Sequence, residues 1–202
     1  MWAERRLKTS LIKIETAEKS SQIVPVYFDS ALIAKFYLNE PGREAIRSLA
    51  RDAGIVVTSG IAVAEVSAAF HRKLREGSVD RDVFDALQGQ FQHDLTNGLW
   101  RLIGPTEVLL QQVRTLFLRL DSSVFLRSLD ALHLITAKAE HFNRIYSNDR
   151  HLLSACPSVD LEGINPIRQR RPETVRSDPS RRSAVQIPEK RRAYRKLKEN
   201  KR

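Results

Sequence analysis

Four carboxylates, Asp29, Glu65, Asp130 and Asp149, stand where the surrounding pattern has no use for solvent charge. Asp29 interrupts the apolar stretch VPVYFDSALIAKFY at residues 24–37, and Glu65 breaks a run of small and apolar residues from Gly60 to Ala69. Asp130 falls in the first turn of SLDALHLITA, and Asp149 follows RIYS. Each has an ordinary explanation alone: Asp29 or Ser30 caps a helix, Glu65 lies on a solvated face, Asp130 caps its own helix, Asp149 serves a turn with Asn148. Together they ask for more. Two carboxylates about 4 Å apart repel by roughly 4 kcal/mol at an effective dielectric of 20, so a cluster of them needs a cation. Oxygen-only donors favour a hard divalent ion, Mg²⁺ or Mn²⁺. An ion held this way acidifies a bound water, orients it for in-line attack on a phosphodiester and offsets the charge that develops on the phosphate oxygens. In that scheme Asp29, Glu65 and Asp130 are ligands or water-orienting groups. Asp149 ligates a second ion or stands behind the first.

Other polar residues near these positions have two readings each. His133 lies three residues after Asp130 on a similar face, either as a proton donor or as a structural histidine of a packed helix. Arg127 and Arg150 either steady a substrate phosphate or pair with the acids. His71, His93, His141 and His151 lack metal-ligand spacing among themselves, so no zinc site is expected. Cys156, the one cysteine, rules out an internal disulfide and reads as inert.

The elements that must bring the acids together alternate strand and helix, the pattern of an α/β fold with a mainly parallel sheet. A strand over VYF leads to helices at 30–38 and 43–53, split by Pro41-Gly42; GIVVTS is a second strand; a helix runs from Gly60 to a stop at Gly77. Further helices are expected at 80–95, from Pro105 to about Leu120 with the proline in the first turn, and over SLDALHLITAKAEHF. LWRLIG and RIYSND supply strands, and VDLEGINPI a last edge strand. In an open α/β sheet the strand C-terminal ends share a crevice with the helix N-termini that follow. Asp29, Asp130 and Asp149 all map to that edge. Glu65, about two turns into its helix and flanked by small residues that imply burial, is expected to reach it.

Length and charge bound the rest. A chain of 202 residues with 42% hydrophobic content buries one sizeable core. No apolar run is long enough to cross a bilayer, and the first residues lack the apolar stretch of a signal peptide, so the expected compartment is the cytoplasm, with no membrane partner. The net charge of +10 resides in residues 168–202, which hold 14 Lys/Arg against 4 Asp/Glu; residues 1–167 hold 20 of each. The expected organisation is a polar N-terminal arm at 1–22, a neutral domain at 23–167 and a basic, disordered tail whose Arg191 and Arg192 can hold RNA. Trp100 and Tyr37 are either base-stacking platforms or packing.

The motifs VYFDSALIAKFYLNEPG, VTSGIAVAEVSAAFHR, SLDALHLITA and YSND, in this order and spacing, resemble the PIN domain in its VapC-type toxin branch over about residues 24–167. The resemblance implies a Rossmann-like domain around a central parallel sheet, and a Mg²⁺- or Mn²⁺-dependent endoribonuclease whose acids match Asp29, Glu65, Asp130 and Asp149. Ser30 matches the hydroxyl residue beside the first acid. Ser147 replaces the usual threonine of the terminal TND, keeping a hydroxyl, and Asn148 stands between it and Asp149. A cognate antitoxin and homodimers are implied as well. Two alternatives remain: a housekeeping RNA-processing nuclease of the same fold, and a catalytically silent binding module.

Overall fold

The structure, a computed structural model, describes residues 24–167. The polar arm at 1–22 and the basic tail at 168–202, with Arg191 and Arg192, lie outside the described residues. Strand β1 (Val26–Tyr27) leads to α1 (Ser30–Tyr37) and α2 (Arg43–Ala53), and β2 (Val56–Ser59) to α3 (Ala62–Arg75) and α4 (Arg81–Thr96). There follow β3 (Trp100–Ile103), α5 (Glu107–Arg119), α6 (Ser128–Ala139), β4 (Arg144–Tyr146), α7 (Arg150–Ala155), a 3₁₀ turn at Cys156–Val159, and β5 (Glu162–Ile164).

All strand pairs are parallel, as the alternating pattern requires. The ladders β1-β2-β3 and β4-β5 meet through a parallel bridge between Phe28 and Tyr146, so β1 and β4 are neighbours at the middle. Alternation along the strands then divides the core. Tyr27 and Val57 pack with Leu109, Leu116, Leu134 and Leu152 from α5, α6 and α7, whereas Phe28 and Val56 pack with Leu32, Ile46, Val66 and Phe91 from α1 to α4. A sheet covered on both faces has continuous apolar strands, which is why VVTS is buried at every position.

Three details depart from the sequence expectations. Pro105 is not in α5, because Thr106 caps that helix by accepting from the Leu109 amide and displaces the proline to the position before the cap. Glu65 lies in the first turn of α3 rather than about two turns in, since residues 60 and 61 precede the helix. Helix α7 was not foreseen: Asp149 accepts from the amides of His151 and Leu152 and starts a helix where a plain turn was expected. The last strand is confined to Glu162–Ile164.

Candidate active site

Asp29 stands where β1 turns into α1. Its Oδ1 accepts from the Leu32 amide at 2.9 Å, the helix cap its sequence position suggested. Its other oxygen accepts from Ser147 Oγ, so a residue at the end of β4 reaches across to the end of β1. Asp29 is only 4% exposed. Burial pushes its carboxyl up to about 6, against the pull of the Ser147 and Leu32 hydrogen bonds.

Glu65 is held from behind by a buried polar chain. Ser30 Oγ donates to Glu65 Oε2 at 2.6 Å, His133 Nε2 lies 3.1 Å from the same oxygen and 2.9 Å from Ser30 Oγ, and Tyr27 Oη lies 3.1 Å from His133 Nδ1. An ionised carboxylate only accepts, which makes Nε2 the protonated nitrogen and Nδ1 the acceptor of the Tyr27 hydroxyl. Burial raises the Tyr27 phenol far above its ordinary value, so it stays a donor. Burial also acts to raise Glu65, but the His133 and Ser30 hydrogen bonds outweigh it and hold the carboxyl below its ordinary range. The expected burial of Glu65 is not found: its side chain is 29% exposed, and Ala64 and Ala68 face outward beside it. Ala68, together with Ala69, lines the cavity there.

Asp130 and Asp149 form a second pair, held by an exposed arginine. Arg127, the residue before α6, donates from Nε to Asp130 Oδ2 at 2.9 Å and from its other arm to Asp149 Oδ2. Asp130 and then Asp149 raise the Arg127 pKa above its ordinary value. The Asp149 amide donates to Ser147 Oγ at 2.9 Å, which makes Ser147 a link between Asp149 and Asp29.

All four acids line one cavity of about 1020 Å³, together with Ser30, Asn148, Arg127 and His133. Ser147 is fully buried and supports the cavity from behind, and Arg150 does not line it. Trp100 donates to the buried Tyr37 hydroxyl at 2.6 Å, so both aromatics are packing rather than stacking platforms. Cys156 is buried, its thiol pushed up to about 11 by burial, and donates to the Leu152 carbonyl. Sequence reasoning left Tyr27 unmentioned, although its alternation with Phe28 marks it as facing α6. It also passed over Lys35, Arg72 and Arg75, which line the same cavity, and weighed His71, another lining residue, only as a zinc ligand.

The donor chemistry fits a hard divalent ion: carboxylate oxygens share one cavity, and burial of Asp29 makes its charge costly, which a cation beside it would offset. Among the described residues no three His, Cys, Asp or Glu side chains close around a single point, and Arg127 pairs with both Asp130 and Asp149. The guanidinium already supplies positive charge there.

The family model for the PIN domain matches residues 26–156. No curated protein matches the chain by sequence. Among solved structures, the VapC20 toxin of Mycobacterium tuberculosis, described as cleaving the sarcin–ricin loop, aligns with a TM-score of 0.52 at 16% identity, over 68% of this chain and 98% of that one. FitAcB from Neisseria gonorrhoeae aligns with a TM-score of 0.54 at 17% identity, over 70% of this chain and 97% of that one. FitAB bound to an IR36 DNA fragment aligns with a TM-score of 0.54 at 16% identity, over 71% and 96% of the two chains.

Proposed function

The chain belongs to the PIN domain family, whose members are nucleases, and we propose that it is a metal-dependent endoribonuclease, the toxin of a VapBC-type toxin–antitoxin pair. The observation that carries this reading is the meeting of Asp29, Glu65, Asp130 and Asp149 in one cavity, with a buried Asp29 whose charge burial makes costly and a cation would offset. The fold likeness to VapC20, described as a toxin, supports the toxin reading over a housekeeping nuclease. Retention of all four acids counts against a silent binding module.

Asp29, Glu65 and Asp130 would hold Mg²⁺ or Mn²⁺, with Asp149 serving a second ion or the back of the first. The bound ion supplies a water of lowered pKa and positive charge at the phosphate. The chain's own residues do the positioning. Ser147 fixes the orientation of Asp29, and the Tyr27–His133–Ser30 chain aims Glu65. Among the described residues lining the cavity, Arg127 is the cation beside Asp130 and Asp149, and it is placed to meet a substrate phosphate once the acids release it.

The partners that follow are RNA, a cognate antitoxin and a second copy of the chain, in the cytoplasm; no described helix is long and apolar enough to cross a membrane. Helix α5 supports the homodimer, since it buries Leu109 and Leu116 but turns Val108, Leu110, Phe117 and Leu118 outward. Residues 1–22 and 168–202 are proposed as appendages of the nuclease domain, the tail holding RNA near a cleft whose acids repel it; its removal should flatten the salt dependence of long-RNA binding. The test of the whole reading is cleavage-site mapping on total RNA with the purified full chain in Mg²⁺ or Mn²⁺. Discrete cuts that vanish in EDTA are expected. Cuts that persist in saturating EDTA, or no cuts at all, would overturn it.

A further inference from the structure

The cavity that holds the acids extends along α3, and its charge reverses on the way. Glu65 is in the first turn of α3, whereas Arg72 and Arg75 are seven and ten residues further along and line the same cavity. At 1.5 Å per residue they stand about 10 and 15 Å along the helix axis from Glu65. Between them the floor is built of Ala68 and Ala69, and Ala31 and Ala34 line it from α1. Small side chains leave room for a polymer backbone to lie close to the helices.

The ion pairs around this far end leave net positive charge. Glu40 is bonded by both Lys35 and Lys73, which uses its charge fully. Arg72 meets only Glu76, at a loose 3.9 Å with both side chains about half exposed, and Arg75 makes no ion pair among the described residues. Charges left in this state beside a cavity are placed for an anion. Structural ion pairing is their usual alternative, and here it accounts for the lysines but not for the two arginines.

We propose that Arg72 and Arg75 hold the phosphates of the RNA strand on one side of the bond that is cut. This rests on the ribonuclease reading above and adds where the substrate lies. The scissile phosphate sits among the acids, where it is tolerated only beside positive charge, while the neighbouring phosphates run along the alanine floor to the arginines. The grip is on phosphate, so it carries no base preference of its own. A single strand suits this path because its backbone bends into the cavity and its bases can splay outward.

The experiment compares the full chain with its Arg72→Gln/Arg75→Gln double variant, both substitutions being at exposed helix positions. The first arm measures affinity for a 20-nucleotide single-stranded RNA in EDTA across a salt series. Two lost phosphate contacts should weaken binding by about tenfold and reduce the slope of log affinity against log salt by about 1.4. The second arm measures cleavage of the same RNA with Mg²⁺ and of versions trimmed from either end. KM should rise in the variant far more than kcat changes, and trimming one end, not the other, should erase the difference between the two proteins. Equal salt slopes, or a loss of kcat with KM unchanged, would overturn the inference; binding of an acidic peptide that falls while RNA binding does not would assign the arginines to a protein partner instead. If the wild-type chain cleaves no RNA, the ribonuclease reading fails, and the EDTA arm still decides what Arg72 and Arg75 bind.

Discussion

Asp29 and Glu65 are held by groups that cannot leave, whereas Asp130 and Asp149 are held by one that can. Ser147, Ser30, His133 and Tyr27 are buried, anchored in strands and helices that pack on both faces of the sheet, and each bonds toward the carboxylate it supports. Arg127 has a side chain 57% exposed on a long flexible stem, and surface pairs of that kind are worth about 0–1 kcal/mol. The first half of the site is therefore preorganised by the fold. The second is bridged by one exposed guanidinium, whose hold is weaker.

The largest effect should come from removing an acid in either half. Asp29→Asn and Asp130→Asn are each expected to lower metal-dependent RNA cleavage by more than about a hundredfold, since loss of a group that only supports a ligand already costs 10–100-fold. Unaltered turnover in both variants would remove the distinction between the halves by removing the site.

Stability without metal should separate the two variants. The Asp29 carboxyl is raised from 3.8 to about 6 in the folded chain, so its ionisation opposes folding. The sign follows: below about pH 4 Asp29 is protonated in both states and costs nothing, and the penalty grows as pH rises from 4 through 6, reaching about 3 kcal/mol above that. Asn caps a helix as well as Asp does. In EDTA, Asp29→Asn should thus match wild type at pH 4 and exceed its melting temperature at pH 7, whereas Asp130→Asn, which gives up an exposed pair with Arg127, should not. Parallel melting curves for the two variants across pH would break the comparison.

His133→Ala should weaken Mg²⁺ or Mn²⁺ binding, read by titration calorimetry, by about 10–100-fold, and Tyr27→Phe by less, because it leaves Nε2 on Glu65. Arg127→Ala should do the opposite. With the competing guanidinium gone, metal affinity should rise by about three- to tenfold, the scale of a partly exposed ion pair, even as cleavage falls. Weaker metal binding in Arg127→Ala would place the arginine in support of the site rather than in competition with it.

Much of this was legible in the chain because the relevant signals are local. Asp29 at a strand-to-helix junction, Asp130 in a first turn and Asp149 after RIYS each carry their position in the few residues around them, and the sheet edge that gathers them follows from the alternation of strands and helices. Glu65 was assigned correctly to the cavity and wrongly to the interior. A run of alanines looks the same whether it packs against a neighbour or floors a cleft, and no periodicity separates the two.

Sequence alone determined the parallel α/β architecture and its family, because strand and helix periods and four ordered acidic motifs depend on short-range spacing. It also gave the location of the excess charge, since that is a count along the chain. Tertiary structure decided who touches whom across long separations: Ser147 on Asp29, His133 between Tyr27 and Glu65, Arg127 between two acids, and Arg72 with Arg75 in the cavity of Glu65. The Ser147–Asp29, His133–Tyr27, His133–Glu65 and Arg127–Asp149 contacts join residues 22 to 118 positions apart, while Arg72 and Arg75 lie on the same helix as Glu65 and line the same cavity. Such contacts depend on how packed elements are placed, which no local pattern encodes.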